Sequence, residues 1–330
     1  MIIVTGGAGF IGSNLVRGLN QRGLNNILVV DDLSDGNKVR NIEDCDIQDY
    51  MDKDEFLKRI EQGMEFGGMS AIYHQGACSD TMETDGRYIM QTNYEYSKSL
   101  YHYCGQNSIP FIYASSASVY GGGEVFKEHP DHEQALNAYA YSKLLFDRYV
   151  RKNSEVSDAP VVGLRYFNVY GSGEDHKGRM ASVAYHFFNQ YQSQGYVNLF
   201  AGTNGYADGE QLRDFVWIKD VVDVNLHFLE HPEARGVFNV GTGRAQSFND
   251  VATTTLNSLE GVTKTTAQWV ADKKLRYIDF PQALVGKYQS YTQADLTNLT
   301  ITGDYNKNFA SVEDGVSHYV KELADKAASI

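Results

Sequence analysis

Basic residues are scarce in this chain: Lys+Arg number 29 against 42 Asp+Glu, a formal net charge of -13 over 330 residues. Without a basic patch such a chain repels a phosphate backbone, which argues against nucleic acid as a partner. Proline is scarcer, 5 in all, so a Pro-rich linker is excluded, and the chain has no internal repeat or low-complexity tract. The 3 cysteines, Cys45, Cys78 and Cys104, are odd in number and lack CxxC spacing. That excludes a disulfide framework or a cysteine zinc site and suits a reducing cytosol. No apolar run reaches the ~18–20 residues of a membrane span. The opening MIIVTGGAGFIG lacks the basic flank of a signal peptide. A cytoplasmic protein with no membrane partner is expected. A Walker A loop is also missing, so nucleotide hydrolysis has no anchor.

What is there reads as an ordinary globular chain, 42% hydrophobic and 22% charged, long enough at ~150 residues per domain for roughly two domains. Short β-branched runs predict strands at Ile2–Val4, Ile27–Val30, Ala71–Tyr73, Phe111–Ala114 and Val161–Arg165. Helical patterns fall between them, from Gly12 to Arg22, Asp54 to Glu61, Tyr88 to Gln106 and Tyr139 to Arg151. This alternation predicts an α/β fold, a Rossmann-like doubly wound parallel sheet over residues 1–170. Residues 171–330 read as a smaller C-terminal substrate-binding lobe, with Val237–Val240 a candidate to rejoin the main sheet and a last helix over Val312–Ala327.

The strongest local signal is Gly6-Gly7-Ala8-Gly9-Phe10-Ile11-Gly12, directly after a strand and opening a helix. Glycines there let the backbone turn tightly and let a pyrophosphate approach the helix N-terminus, whose free N–H groups favour anions. Asp31 ends the second strand, where a carboxylate can accept from a ribose hydroxyl and so favours NAD. Lys38 and Arg40 follow closely enough to neutralise a 2′-phosphate, so the residues alone leave NAD and NADP both open.

Tyr139-Ala-Tyr-Ser-Lys143 puts a phenol and an ammonium on one helix face. A neighbouring ammonium favours the phenolate and lowers a tyrosine from its usual ~10, making Tyr139 a usable acid or base. Ser115 and Ser116 follow the fourth predicted strand, where a hydroxyl meets the ligand crevice.

With these motifs the chain resembles the extended short-chain dehydrogenase/reductase superfamily. Within it the likeness is closest to the ADP-L-glycero-D-manno-heptose 6-epimerases. It rests on Asp31-Asp-Leu-Ser-Asp-Gly36, Gln75-Gly-Ala-Cys-Ser79, Arg165-Tyr-Phe-Asn-Val-Tyr-Gly171, His176-Lys-Gly-Arg-Met-Ala-Ser-Val-Ala184, Arg213-Asp-Phe-Val216, Phe238-Asn-Val-Gly-Thr-Gly243 and Tyr288-Gln-Ser-Tyr-Thr-Gln-Ala-Asp-Leu-Thr-Asn298. The resemblance implies inversion at C6 of an ADP-heptose through a transient 6-keto sugar, for lipopolysaccharide core heptose, by a homo-oligomer holding one NADP per subunit. UDP-hexose 4-epimerisation and non-catalytic NADP binding are the rival readings. His176-Lys-Gly counts against the first, and the presence of both Tyr139 and Lys143 against the second.

The resemblance also assigns roles. The cofactor falls to Gly6, Gly9, Phe10, Ile11 and Gly12 at the turn, and to Asp31, Asp32, Lys38 and Lys53 on the adenosine side. Gln75, Gly76, Ala77, Cys78 and Ser79 line it, with Val169, Lys143 and Lys177 toward the nicotinamide. Tyr139 is one acid/base, oriented by Lys143, and Lys177 is the second; Ser116 assists. Ser116, Asn168, His186, Phe200, Ala201, Gly202, Thr203, Arg213 and Tyr288 hold the sugar nucleotide. No metal is implied: His129-Pro-Asp-His132 offers no third ligand, and Cys78 reads as packing rather than as a nucleophile. Three features depart from the family pattern. Thr92 stands where Asn is frequent, Arg179 replaces a substrate-contacting Ser, and the segments Asn204–Gln211 and Ser258–Lys274 are longer, which predicts extended surface loops.

Overall fold

The computed structural model describes residues 1–64, 66–154, 159–282 and 288–328. In the first half the order is β1 (Ile2–Thr5), α1 (Phe10–Gln21), β2 (Ile27–Asp31), β3 (Asp49–Asp52), α2 (Lys53–Glu61), β4 (Ala71–His74), α3 (Gly86–Ile89), α4 (Tyr96–Gln106), β5 (Phe111–Ser116), α5 (Ala138–Asn153) and β6 (Val161–Tyr166). The second half adds β7 (Asn168–Tyr170), α6 (Val183–Gln194), β8 (Val197–Phe200), β9 (Leu212–Arg213), β10 (Phe215–Trp217), α7 (Ile218–Glu230), β11 (Gly236–Val240), β12 (Gln246–Ser247), α8 (Phe248–Glu260), α9 (Thr266–Ala271), β13 (Leu275–Ile278), α10 (Thr297–Ile301) and α11 (Val312–Ala328).

Seven strands form one sheet in the order β3-β2-β1-β4-β5-β6-β11, every pair parallel. The inner strands read Ile-Ile-Val-Thr, Ile-Leu-Val-Val-Asp and Ala-Ile-Tyr-His and are buried throughout, as strands covered on both faces must be. The strand order reverses between β1 and β4, and this switch point opens a crevice at their C-terminal ends. One face is covered by α1 and α7, which approach closely enough that a Cβ on Gly18 would lie 2.5 Å from Val222 Cγ1. Phe56, Ile60, Leu100, Phe146 and Val150 from α2, α4 and α5 cover the other.

A second apolar cluster joins Phe187 and Phe188 of α6, Leu256 of α8, Trp269 of α9 and Val316 and Tyr319 of α11. It carries the small parallel pair β8–β13. The expected return of Val237–Val240 to the main sheet is observed: β11 pairs with β6 from Gly236↔Val162 to Val240↔Tyr166. No helix among the described residues is long and apolar enough to cross a membrane.

Three expectations need correction. Asp49–Asp52 forms an additional edge strand, β3, whose half-exposed Asp-Tyr-Met-Asp sequence carries no apolar run to betray it. The helix expected from Tyr88 is interrupted by a π-helical turn at Met90–Glu95. The segment Ser258–Lys274 is no surface loop: it holds the end of α8 and all of α9, which buries Trp269 behind a Thr265/Gln268 capping box.

Candidate active site

The glycine turn is built as its spacing demands. Gly6 adopts φ +67°, and a Cβ there would stand 2.5 Å from Gly76 N. A Cβ on Gly12 would meet Gly6 O at 2.1 Å. Gly9 caps α1 without a side-chain bond, so the first N–H groups of the helix face the crevice uncapped. A closely approached, anion-favouring helix start of this kind fits a dinucleotide's pyrophosphate.

Beside it, Asp31 accepts from Ala8 N at 2.8 Å and Asp32 N at 2.6 Å, and is ion-paired with Lys38. The carboxylate expected to meet a ribose is thus already bonded to its own chain and to a lysine. Lys38 also donates to Asp32 O at 2.8 Å, and Lys53 pairs with Asp32 at 3.1 Å. Bonds from Ser34 and Lys53 hold the Asp32 carboxyl well below its ordinary range.

The crevice continues as a cleft of about 780 Å³. Its wall includes Gly6, Gly9, Phe10, Ile11, Gly12, Asp31, Lys38, Gln75, Gly76, Ala77 and Ser79. Ser116, Tyr139, Lys143, Asn168, Val169, Lys177, Phe200, Arg213 and Tyr288 complete the predicted residues that it gathers. Seven others are not on its wall. Asp32 and Lys53 pair with each other, and Cys78 is held by Asn93, whose side chain accepts from Cys78 N at 2.8 Å and donates to Cys78 O at 3.0 Å. His186 lies on α6, its ring 6.3 Å from that of Tyr185, and Ala201, Gly202 and Thr203 belong to the loop beyond Phe200. Arg179 lines the cleft and pairs with Asp80 at 2.6 Å, joining two of its walls.

Tyr139 and Lys143 sit on the first turns of α5, which Asn137 caps through Ala140 N. The expectation that Lys143 lowers the phenol is corrected. The ammonium donates to Ala114 O at 2.8 Å, and burial pushes Tyr139 up, with the Ser116 hydroxyl opposing. Burial also pushes Lys143 down to about 8, against the charge of Asp147 one turn further on. Asp147 accepts from Tyr113 at 3.0 Å, Ser115 at 2.8 Å and Arg165 Nε at 2.9 Å, locking α5 to β5.

Lys177 faces the cleft from an irregular turn over Asp175–Met180, its ammonium 5.0 Å from the centre of the Phe10 ring. Burial lowers its pKa, and Glu174 counteracts this. At the far end Arg213 is 5% exposed, with its guanidinium 4.6 Å from the Tyr288 ring centre and 6.0 Å from that of Phe248. Among the described residues its one hydrogen bond is to Leu212 O at 3.1 Å, and no carboxylate pairs with it. Such a desolvated, unneutralised fork suits an anion.

Sequence reasoning passed over several residues that shape the site. Asn93 clamps the Cys78 peptide and donates to Ser142 at 3.1 Å; its place beside Thr92 was the available hint. Asp214, next to Arg213, gathers Thr242 N, Gly243 N and Ala294 N. Asn41 donates to Ala8 O and contacts His176 Nδ1 at 3.1 Å, joining the glycine turn to the Lys177 turn. No group of three His, Cys, Asp or Glu among the described residues suits a metal.

Known proteins share this arrangement. The profile of the NAD dependent epimerase/dehydratase family matches residues 2–241. The chain belongs to that family. It is 54% identical over 97% of its length, and 98% of the relative's, to an ADP-L-glycero-D-manno-heptose-6-epimerase of Thiobacillus denitrificans. The crystal structure of the ADP-L-glycero-D-manno-heptose-6-epimerase of Helicobacter pylori superposes with a TM-score of 0.81 at 30% identity, covering 98% of this chain and 96% of that one. A UDP-glucose 4-epimerase of Thermotoga maritima, solved with UDP-glucose, gives 0.80 at 26% identity, with 99% of both chains covered. The likeness identifies the chain as an epimerase, an isomerase dependent on a nicotinamide dinucleotide.

Proposed function

We propose that the protein inverts C6 of ADP-D-glycero-D-manno-heptose to give the L-glycero epimer, using NADP, for lipopolysaccharide core heptose. The relative at 54% identity carries the reading of the substrate. What supports the chemistry is a cleft that presents Tyr139, Lys177 and Arg213 together.

The dinucleotide, when bound, supplies the acceptor for the C6 hydrogen and later its donor. Gly6, Gly9 and Gly12 leave room for its pyrophosphate, and the uncapped N–H groups of α1 bind that charge. Lys38 stands where a 2′-phosphate would meet a cation, which favours NADP. Arg213, beside the Tyr288 ring, binds the diphosphate of the sugar nucleotide and leaves the heptose toward Ser116, Tyr139 and Lys177. Oxidation at C6 requires the C6 hydroxyl to lose its proton, and return to the alcohol requires the carbonyl oxygen to gain one. Because the inverted alcohol presents its oxygen differently, two proton carriers serve where one would not reach. Each of Tyr139 and Lys177 is then the base for one epimer and the acid for the other. Burial raises the Tyr139 phenol and lowers the Lys177 ammonium, the latter opposed by Glu174.

Turnover of ADP-D-glycero-D-manno-heptose by the NADP-loaded protein, with UDP-glucose as comparison, tests the substrate. Deuterium placed at C6 is expected to stay on that carbon in ordinary water, with no accumulation of NADPH. No turnover of the heptose, or release of the label to solvent, would defeat this reading.

A further inference from the structure

The turn that carries Lys177 has no ladder to hold it. It is a 3-10 segment broken at Gly178, which adopts φ 52°, ψ -124°. A proton carrier on such a turn needs its position fixed from elsewhere. The side chain that reaches both ends of the turn is Glu174, which is 0% exposed. Its Oε2 accepts from Ser182 N at 2.5 Å, and its Oε1 accepts from Ser182 Oγ at 2.7 Å and, more distantly, from Gly171 N at 3.4 Å. Its backbone carbonyl accepts from Lys177 N at 2.9 Å. A single carboxylate thereby draws residue 171 and residue 182 together and closes the intervening chain into a loop with Lys177 on its cleft side.

Burying a carboxylate is costly unless a charge or several donors compensate it. Among the described residues no cation forms an ion pair with Glu174, yet its charge is the one that opposes the effect of burial on Lys177. We propose that Glu174 is the positioning residue of the second acid/base: it closes the turn and supplies the buried counter-charge that lets Lys177 hold a proton. The proposal rests on the reading of Lys177 as a proton carrier.

Other charges around the pair are accounted for. On the Lys177 side stand the Phe10 ring of α1 and His176, which in turn feels Lys38, Asp31 and Asp35. Arg179 is paired with Asp80. On the Glu174 side, α11 contributes Tyr319, whose phenol burial pushes up with Glu174 and Asp175 adding to it, Lys326, which pairs with Asp175 at 2.5 Å, and Glu322, which accepts from Ser172. Glu174 is therefore the anion nearest in effect to Lys177.

Two variants separate shape from charge. Glu174→Gln removes the charge and leaves an amide N–H against the Ser182 donors; Ser182→Ala removes the hydroxyl's bond to Glu174 and its cap on Tyr185 N, and keeps the charge. The intact protein is acylated over a range of pH, and the reactivity midpoint of Lys177 is read by peptide mass spectrometry, alongside kcat and KM. In Glu174→Gln the midpoint is expected to fall by about one unit, with kcat down at least ~tenfold and the sugar-nucleotide KM within about threefold. Ser182→Ala is expected to lower kcat several-fold with the midpoint unmoved, and Glu174→Asp to restore the midpoint. An unmoved midpoint in Glu174→Gln, or a Ser182→Ala protein that moves it as far, would overturn the proposal. Should Glu174→Gln fail to fold, a Glu174→Asp midpoint a full unit below that of the parent protein overturns it equally. The acylation midpoint reads Glu174 without substrate, whereas failure of the reading of Lys177 as a proton carrier would show as full turnover by Lys177→Met.

Discussion

The guanidinium of Arg213 lies 4.6 Å from the centre of the Tyr288 ring, buried and without a carboxylate partner among the described residues. A planar guanidinium beside an aromatic ring keeps N–H groups free for a ligand, and lysine offers no planar fork in its place. Both Arg213→Lys and Arg213→Ala are therefore expected to raise the KM for the sugar nucleotide by about tenfold or more, while cofactor affinity stays within about twofold. Steady-state kinetics and cofactor titration of the two variants provide the check. An unchanged KM in Arg213→Ala would remove the arginine from substrate binding.

If Tyr139 and Lys177 serve opposite outcomes of one reaction, losing either one stops epimerisation. Tyr139→Phe and Lys177→Met are each expected to lower turnover by ~10²–10⁴-fold, the usual worth of a positioned proton transfer. Circular dichroism and cofactor binding are expected to stay near those of the parent protein. A Lys177→Met enzyme within about tenfold of normal would make that lysine a cofactor contact.

The proposed preference for NADP is tested at Lys38. Its ion pair with Asp31 takes up the carboxylate that would otherwise favour a free ribose hydroxyl. NADP is expected to bind more tightly than NAD, and Lys38→Ala to erode the difference by about tenfold. Equal affinities of the parent protein for the two dinucleotides would count against NADP as the working cofactor.

His74 gives the fold a pH dependence. It is buried between Thr5 Oγ1 at 2.6 Å and Ser97 Oγ at 2.8 Å, and burial, with Lys143 adding to it, pushes it down to about 3. The unfolded chain takes up this proton near pH 6.5, well before the folded one does. The unfolded state therefore binds more protons across that window, and stability is lost as pH falls from about 6.5 toward 3. Urea unfolding at pH 7 and 5 is expected to show about 2 kcal/mol of loss from this group. His74→Gln is expected to flatten the dependence by that amount; an unchanged slope would show that His74 titrates normally.

The parts of this molecule that were legible in the sequence are those where one residue type has one physical use. The apolar runs of β1, β2, β4, β5 and β6, the glycines that tolerate no Cβ, and the helical spacing of Tyr139 and Lys143 are all of this kind. What escaped depends on partners distant in the chain. Asp49–Asp52 becomes a strand because β2 offers an edge, not because its own side chains favour one. Lys143 reaches a backbone oxygen 29 residues away, and burial raises the Tyr139 phenol; no local pattern announces either. Likewise Asn93 is an ordinary asparagine until the π-helical turn directs it at the Cys78 peptide.

The place of β11 at the sheet edge has a consequence for how the protein is made. A nascent chain that has emerged only through β6 shows the ribosome's surroundings the bare hydrogen-bonding edge of Val161–Tyr166, and its α1 lacks the α7 residues Val222 and Leu226 that pack at Gly18. Both gaps close only when residues 218–240 follow. During synthesis at ~5–20 residues per second, that interval lasts several seconds. An unpaired edge and an uncovered apolar helix invite association with other chains. A chain stopped just after β6 therefore offers both surfaces to association until residues 218–240 arrive to cover them.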